Sequence, residues 1–256
     1  MILTWSSAPF SVSLSFKNRA HVFCLALLLS LGASAQASAG TAANAASAAV
    51  PAVLSQGAEG LSPRVLNLAL GAVSAAREQG IVGKGDLLTV IDYSLPSTEP
   101  RLWVLDLARG KVLFHELVAH GAGSGEKFAT RFSNVDESRA TSLGLFLTGD
   151  TYEGGNGYSL KLKGLYEGIN DRAEQRHIVM HGAWYVSADH ARQYGMLGRS
   201  WGCPALSQQD AKPVIDVIKG GSFVFAYSGA APTTLRASLA SSGPARTSRS
   251  GASSSR

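Results

Sequence analysis

The chain has 256 residues, of which 45% are hydrophobic and 16% charged, enough apolar material to bury a full core and too much for a wholly disordered polymer. Its formal net charge of +5 is concentrated at the ends: Lys17 and Arg19 precede an apolar run, Arg236, Arg246, Arg249 and Arg256 lie in the tail, and setting those six aside leaves seventeen basic against eighteen acidic residues. A near-neutral folded part excludes a nucleic-acid footprint, which clusters Lys and Arg on one folded face.

Residues 1–39 carry the pattern of a signal peptide: two basic residues, an apolar stretch over 21–31, and small-residue cleavage sites at 33–35 and 37–39. The apolar stretch is too short to span a bilayer. The mature chain is therefore expected to be exported to the periplasm or cell envelope, with no transmembrane segment. Cys24 lies inside that leader, so Cys203 is the single thiol of the mature chain and has no intrachain disulfide partner. Residues 40–60 read as a flexible Ala/Ser-rich linker.

A catalytic domain is expected over 61–228. Ser62 as N-cap and Pro63 at the first helical position open a helix over 62–79, closed by Gly80. Alternating patterns then give a sheet-rich core over 87–227, with strands at 87–93, 102–107, 112–119, 142–148 and 158–162. The segment 149–157 carries four glycines and reads as a loop able to close over a site, with Tyr152 as its apolar cover. Residues 178–180 form a short buried strand, Ser187 caps a helix that Gly195 stops, and Ala211, Val214, Ile215 and Ile218 make a helical stripe. Pro213 is expected to distort the first turn of that last helix or move its start. A final strand spans 222–227, and 229–256 reads as a disordered basic tail.

The chemistry concentrates between His181 and Cys203. The strand at 178–180 delivers His181 and Gly182, and eighteen residues separate His181 from Ser200-Trp201-Gly202-Cys203. A thiol is only a few per cent ionised at neutral pH and needs a partner for its proton, and imidazole suits that task best. Gly202 lets the backbone approach a substrate carbonyl, and the N–H groups of Gly202 and Cys203 are candidates for an oxyanion site. Most free cysteines are small buried hydrophobes; the place of Cys203 between Gly202 and Pro204 in a polar turn argues for a nucleophile instead. His115, His120, His177 and His190 form no ligand spacing with one another, so no metal site is expected.

The H-G and S-x-G-C pairing resembles that of the YkuD-type L,D-transpeptidases, bacterial cell-wall enzymes with a cysteine nucleophile. The run G-R-S-W-G-C-P-A-L is similar to that of a divergent branch of murein L,D-transpeptidase catalytic domain proteins. The chain departs from the usual pattern in its longer gap, in Trp201 where a second histidine is usual, and in Pro204-Ala205 after the cysteine. The resemblance implies a mostly β fold with a few helices (α+β), a mixed sheet or sandwich, and no cofactor. It implies that Cys203 is acylated by a peptidoglycan stem peptide, with His181 as base and the carbonyl of Gly182 orienting it. Transfer to an amine follows, on another stem or on a wall-anchored protein. Ser200, Trp201, Gly202 and Arg199 are the expected oxyanion and substrate contacts, with Arg199 standing in for the family's arginine after the cysteine. Two alternatives remain: a cell-wall L,D-carboxypeptidase or cysteine peptidase using water, and a non-catalytic wall-binding protein.

Overall fold

The computed structural model describes residues 58–231, with 233 and 237. The expected leader, nearly all of the linker and most of the tail lie outside the described residues. The fold begins earlier than the linker boundary implies: Ala58 is buried, and Glu59 offers its carbonyl to Trp103 Nε1 at 3.1 Å. It also runs past residue 228, since Ala231 is buried and Gly229 N–H donates to Ser94 Oγ at 2.7 Å.

Eight strands form one mixed sheet: β1 (Leu87–Asp92), β2 (Leu102–Asp106), β3 (Lys111–Glu116), β4 (Gly144–Gly154), β5 (Gly157–Gly164), β6 (Val179–Gly182), β7 (Ala205–Leu206) and β8 (Phe223–Tyr227), in the spatial order β3-β2-β1-β8-β4-β5-β6-β7. The β1–β8 and β6–β7 pairs are parallel and the other pairs antiparallel. Alternation along each strand divides the core between the two faces. Leu88, Val90, Trp103, Leu105, Phe223 and Phe225 pack with helix α1 (Pro63–Glu78) on one face. Ile91, Val104, Leu160, Met180 and Val224 pack with helix α3 (Gln208–Ile218) on the other. α1 buries Val65, Leu66, Ala69, Ala72, Val73 and Ala76, each large side chain worth about 1.5–3 kcal/mol. A helix of this length is marginal by itself and persists because the sheet covers that stripe.

Two expectations are corrected. The glycine-rich segment 149–157 is no free loop: β4 runs through it to Gly154 and pairs back onto β5, with Tyr152 opposite Ser159 and Gly154 opposite Gly157. A bulge between Thr148 and Thr151 absorbs the extra residues. Gly157, at φ 72, supplies the left-handed conformation at the turn. The last helix starts at Gln208, five residues ahead of Pro213, which remains inside it. Ser207 caps it by accepting from Asp210 N, so the start is set by the cap rather than by the proline.

A buried polar layer lies beside the turn that carries Cys203. Arg101, fully buried, donates to the carbonyls of Leu95 and Val118 and to His120 Nδ1 at 2.8 Å, and stacks 5.0 Å from the Tyr93 ring centroid. Because a guanidinium only donates, His120 Nδ1 is the acceptor and Nε2 holds the proton. Ser200 N–H in turn donates to the His120 carbonyl at 3.0 Å. Burial, then the Arg101 charge, hold His120 down at about 4. Its ordinary value of about 6.5 returns on unfolding. The unfolded chain therefore takes up a proton that the native state refuses as pH falls from 6.5 towards 4, and stability is lost across that window. The loss approaches roughly 3 kcal/mol at the acid end. Urea midpoints of the wild type should fall more steeply over this window than those of His120→Asn, which keeps an acceptor for Arg101 but does not titrate. Parallel curves would contradict the assignment.

Candidate active site

The site forms where β6 meets β7. Their parallel register sets His181 opposite Ala205 and Gly182 opposite Leu206. Between them the chain leaves the sheet through helix α2 (Ala188–Tyr194), capped by Ser187 and stopped by Gly195 at φ 71, as its sequence signals indicate. It returns through 200–203. The same register carries Cys203 back along β6 to the level of Val179, one pleat step from His181. There the thiol takes the place of a strand partner: Cys203 Sγ accepts from Val179 N–H at 3.4 Å and donates towards the His177 carbonyl at 3.6 Å.

His181 is buried, with Nδ1 3.0 Å from the Gly182 carbonyl. A carbonyl only accepts, so Nδ1 holds the hydrogen and Nε2 the basic lone pair. Among the described residues no hydrogen bond joins this imidazole to the Cys203 thiol. Burial pushes the thiol above its usual range, against the smaller pull of the Val179 N–H and the Arg176 charge. Burial also lowers His181, against the Gly182 carbonyl. Both shifts favour the neutral forms, so the resting pair is thiol and imidazole rather than thiolate and imidazolium.

The turn is braced from within. Ser200 Oγ donates to the Cys203 carbonyl at 2.6 Å and accepts from Gly202 N–H at 3.1 Å. This corrects two expectations: Ser200 is spent on shaping the turn, and the Gly202 N–H is not free for an oxyanion. The Cys203 N–H lies against its own thiol, where it favours the ionised sulfur. Gly202 is required for its space and its φ of 123: a Cβ there would meet the Ala140 carbonyl oxygen and Ile178 Cδ1, each at 2.9 Å. Gly121 packs against it so closely that its own Cβ would fall 2.7 Å from Gly202 Cα. Thr141 Oγ1 bridges the two, accepting from Gly121 N–H at 2.9 Å and donating to the Gly202 carbonyl at 3.3 Å.

Trp201 and Arg199 lie on either side of Ser200 in this turn. Trp201 is 73% exposed, with the Arg139 guanidinium 4.4 Å from its ring centroid. Arg199 is tied to the neighbouring loop, donating to the Gly125 carbonyl at 3.2 Å with Glu126 at 3.9 Å. Sequence reasoning missed Arg176, which binds Ser133, Ser138, Ala140 and Ser142 and sets a positive charge near the thiol. Nothing in its surroundings in the sequence distinguishes it from a surface arginine. Among the described residues no cluster of His, Cys, Asp or Glu is arranged to hold a metal ion, and no helix is long and apolar enough to cross a membrane.

The profile of the family described as L,D-transpeptidase catalytic domain matches residues 57–227. No curated protein sequence matches the chain. Solved structures similar to it include the L,D-transpeptidase 1 of Mycobacterium tuberculosis, at 15% identity over 56% of this chain and 61% of that one, with a TM-score of 0.31. An L,D-transpeptidase from Stackebrandtia nassauensis matches at 16% identity over 62% and 64%, with a TM-score of 0.35. The helical cell shape determining protein of Campylobacter jejuni matches at 16% over 61% and 55%, with a TM-score of 0.34. The chain thus covers under two thirds of each of these structures' own length.

A neutral resting pair has a direct signature. Alkylation of Cys203 by iodoacetamide should rise with a midpoint above the ordinary thiol value of about 8.5. A midpoint near or below about 7, the mark of a thiolate paired with a cation, would contradict this electrostatic reading.

Proposed function

Because the chain belongs to the L,D-transpeptidase catalytic domain family, we propose that it is a peptidoglycan acyltransferase acting through a Cys203 thioester. The observation that carries this reading is the neutral thiol one pleat step from an imidazole whose Nδ1 is engaged by the Gly182 carbonyl. The thiol hydrogen, directed at the His177 carbonyl at rest, swings to His181 Nε2 as Sγ attacks the donor carbonyl. The S–C bond forms, the carbonyl electron pair moves onto oxygen, and the Cys203 N–H, released from its own sulfur as that sulfur attacks, turns to the developing charge. Collapse breaks the peptide C–N bond, and His181 returns its proton to the departing amine. An amine of a second stem, or of a wall-anchored protein, then attacks the thioester with the same imidazole as base. The positive charge of Arg176 near the thiol favours sulfur as it gains negative character.

The donor carbonyl belongs to an L-configured diamino acid, and the residue expelled has the D configuration. The N-terminal pattern over 1–39 supports export, which places the mature catalytic domain at the wall. The reaction draws only on side chains and backbone amides.

Intact mass spectra of the protein incubated with a tetrapeptide stem should show one acyl adduct, absent in Cys203→Ala. His181→Ala should slow acylation by about 10²–10⁴ at neutral pH. That deficit should shrink at pH values where the thiol ionises unaided. Turnover retained in Cys203→Ala, or a deficit of constant size across pH, would overturn the mechanism.

A further inference from the structure

Tyr185, Trp184, His190 and Tyr194 form a continuous aromatic track that leaves the thiol and crosses α2. We infer that this track binds the glycan strand from which the donor stem hangs, a neutral chain of sugar rings. The inference rests on the acyl-transfer reading for one point, that the stem is carried on a glycan, and adds a second binding site to it.

The track starts beside the chemistry. Trp184 and Tyr185 follow closely after His181 and precede the Ser187 cap of α2. Burial, then the nearby Cys203 sulfur, raises the Tyr185 phenol, and the Tyr185 side chain packs against Gly198 on the returning chain. Trp184 meets Tyr185 edge to face at 5.8 Å between ring centroids and His190 at 5.7 Å. Tyr194 follows His190 at 4.5 Å, one turn further along the same side of α2.

The core does not require these rings. Trp184 is 71% exposed and Tyr194 58%, and no residue of α2 is buried. Of the four, Tyr185 alone packs against a core cluster, the small one that contains Ala183, Val186 and Leu197. Single exposed aromatics are ordinary, whereas rings in mutual contact along one line make a continuous apolar surface.

The character of that surface selects its ligand. Both contacts of Trp184 are steep, with interplanar angles of 78° and 74°, so neither neighbour is stacked on the indole. An aromatic face is negative and attracts the C–H groups on the flat side of a sugar ring, whose hydroxyls point outward around its rim. Gln193, Asp189 and Arg192 are exposed along the same helix and offer polar partners to such hydroxyls. Between residues 183 and 194 the only formal charges are Asp189 and Arg192, and these pair with each other. The track therefore offers no unpaired cation to the carboxylates of a stem peptide, while a neutral glycan needs none. A strand lying along it towards Tyr185 carries its stem to Cys203.

The test uses the purified protein, with a β-1,4-linked hexamer of N-acetylglucosamine as the glycan probe. Binding is read from indole N–H signals in NMR spectra, with the buried Trp103 as internal reference. The signal that disappears in Trp184→Phe should shift saturably in the wild type. Donor consumption is then compared, as kcat/KM, for a bare tetrapeptide stem and for the same stem on its disaccharide. The disaccharide-linked stem should be used about tenfold better, the strength of one well-stacked ring pair. Trp184→Ala should erase that advantage, Tyr194→Ala should reduce it, and Trp184→Phe should keep most of it, with alkylation of Cys203 reporting an intact thiol site in each. Equal loss on both stems in Trp184→Ala would mark a peptide contact. Self-association of the wild type that Trp184→Ala abolishes would mark an interface between copies. Either result, or a Trp184 signal unmoved by the hexamer, would overturn the glycan site while leaving acyl transfer standing. If neither stem is consumed while the hexamer still shifts Trp184, the acyl-transfer reading falls and the glycan site stands.

Discussion

The parallel pairing of β6 with β7 is the constraint on which the site depends. Two short strands, held in register at His181–Ala205 and Gly182–Leu206, bring a thiol and an imidazole together across an excursion of the chain. Parallel strands need a crossover, and α2 with its flanking turns supplies one. The register holds only if the turn before β7 lies close against its neighbours. Gly121 and Gly202 permit that approach, and Thr141 ties the two backbones together. A methyl group at either glycine would push the turn away from the sheet, and Cys203 with it.

The electrostatics follow from burial more than from charge pairing. Cys203 and His181 are both nearly inaccessible, and desolvation drives each towards its neutral form. The nearby cations are themselves buried and hold their places through carbonyls and hydroxyls, as Arg176 does with four partners and Arg101 with two carbonyls and an imidazole. Fixed positive charge beside a neutral thiol costs little at rest and gains value as the sulfur or the substrate oxygen becomes negative. Burial also lifts Tyr185 to about 12, with the nearby Cys203 adding to the effect, so it stays a neutral phenol.

Much of this was legible in the sequence where local pattern and tertiary environment agree. The helix from Pro63, the alternating strands and the Ser187 and Gly195 boundaries of α2 all rest on short-range signals. The failures have physical causes. Glycine content suggested a closing loop at 149–157, but a bulge and a two-residue turn let the segment pair fully with β5. Gly202 and Ser200 were read as substrate contacts; their polar groups satisfy one another, a contact that only the folded turn shows. Arg176 acts through partners far away in the sequence, and no periodicity marks such a residue.

The fate of the thioester, for which an amine and water compete, separates a transferase from a hydrolase. The most direct measurement incubates the purified protein with a tetrapeptide stem and an isotope-labelled amine acceptor in excess, then resolves the products by mass spectrometry. Label should enter a product joined at the donor's third residue, in step with donor consumption, and this product should be missing with Cys203→Ala. Release of unlabelled tripeptide alone, with the acceptor untouched, would contradict it and identify a hydrolase.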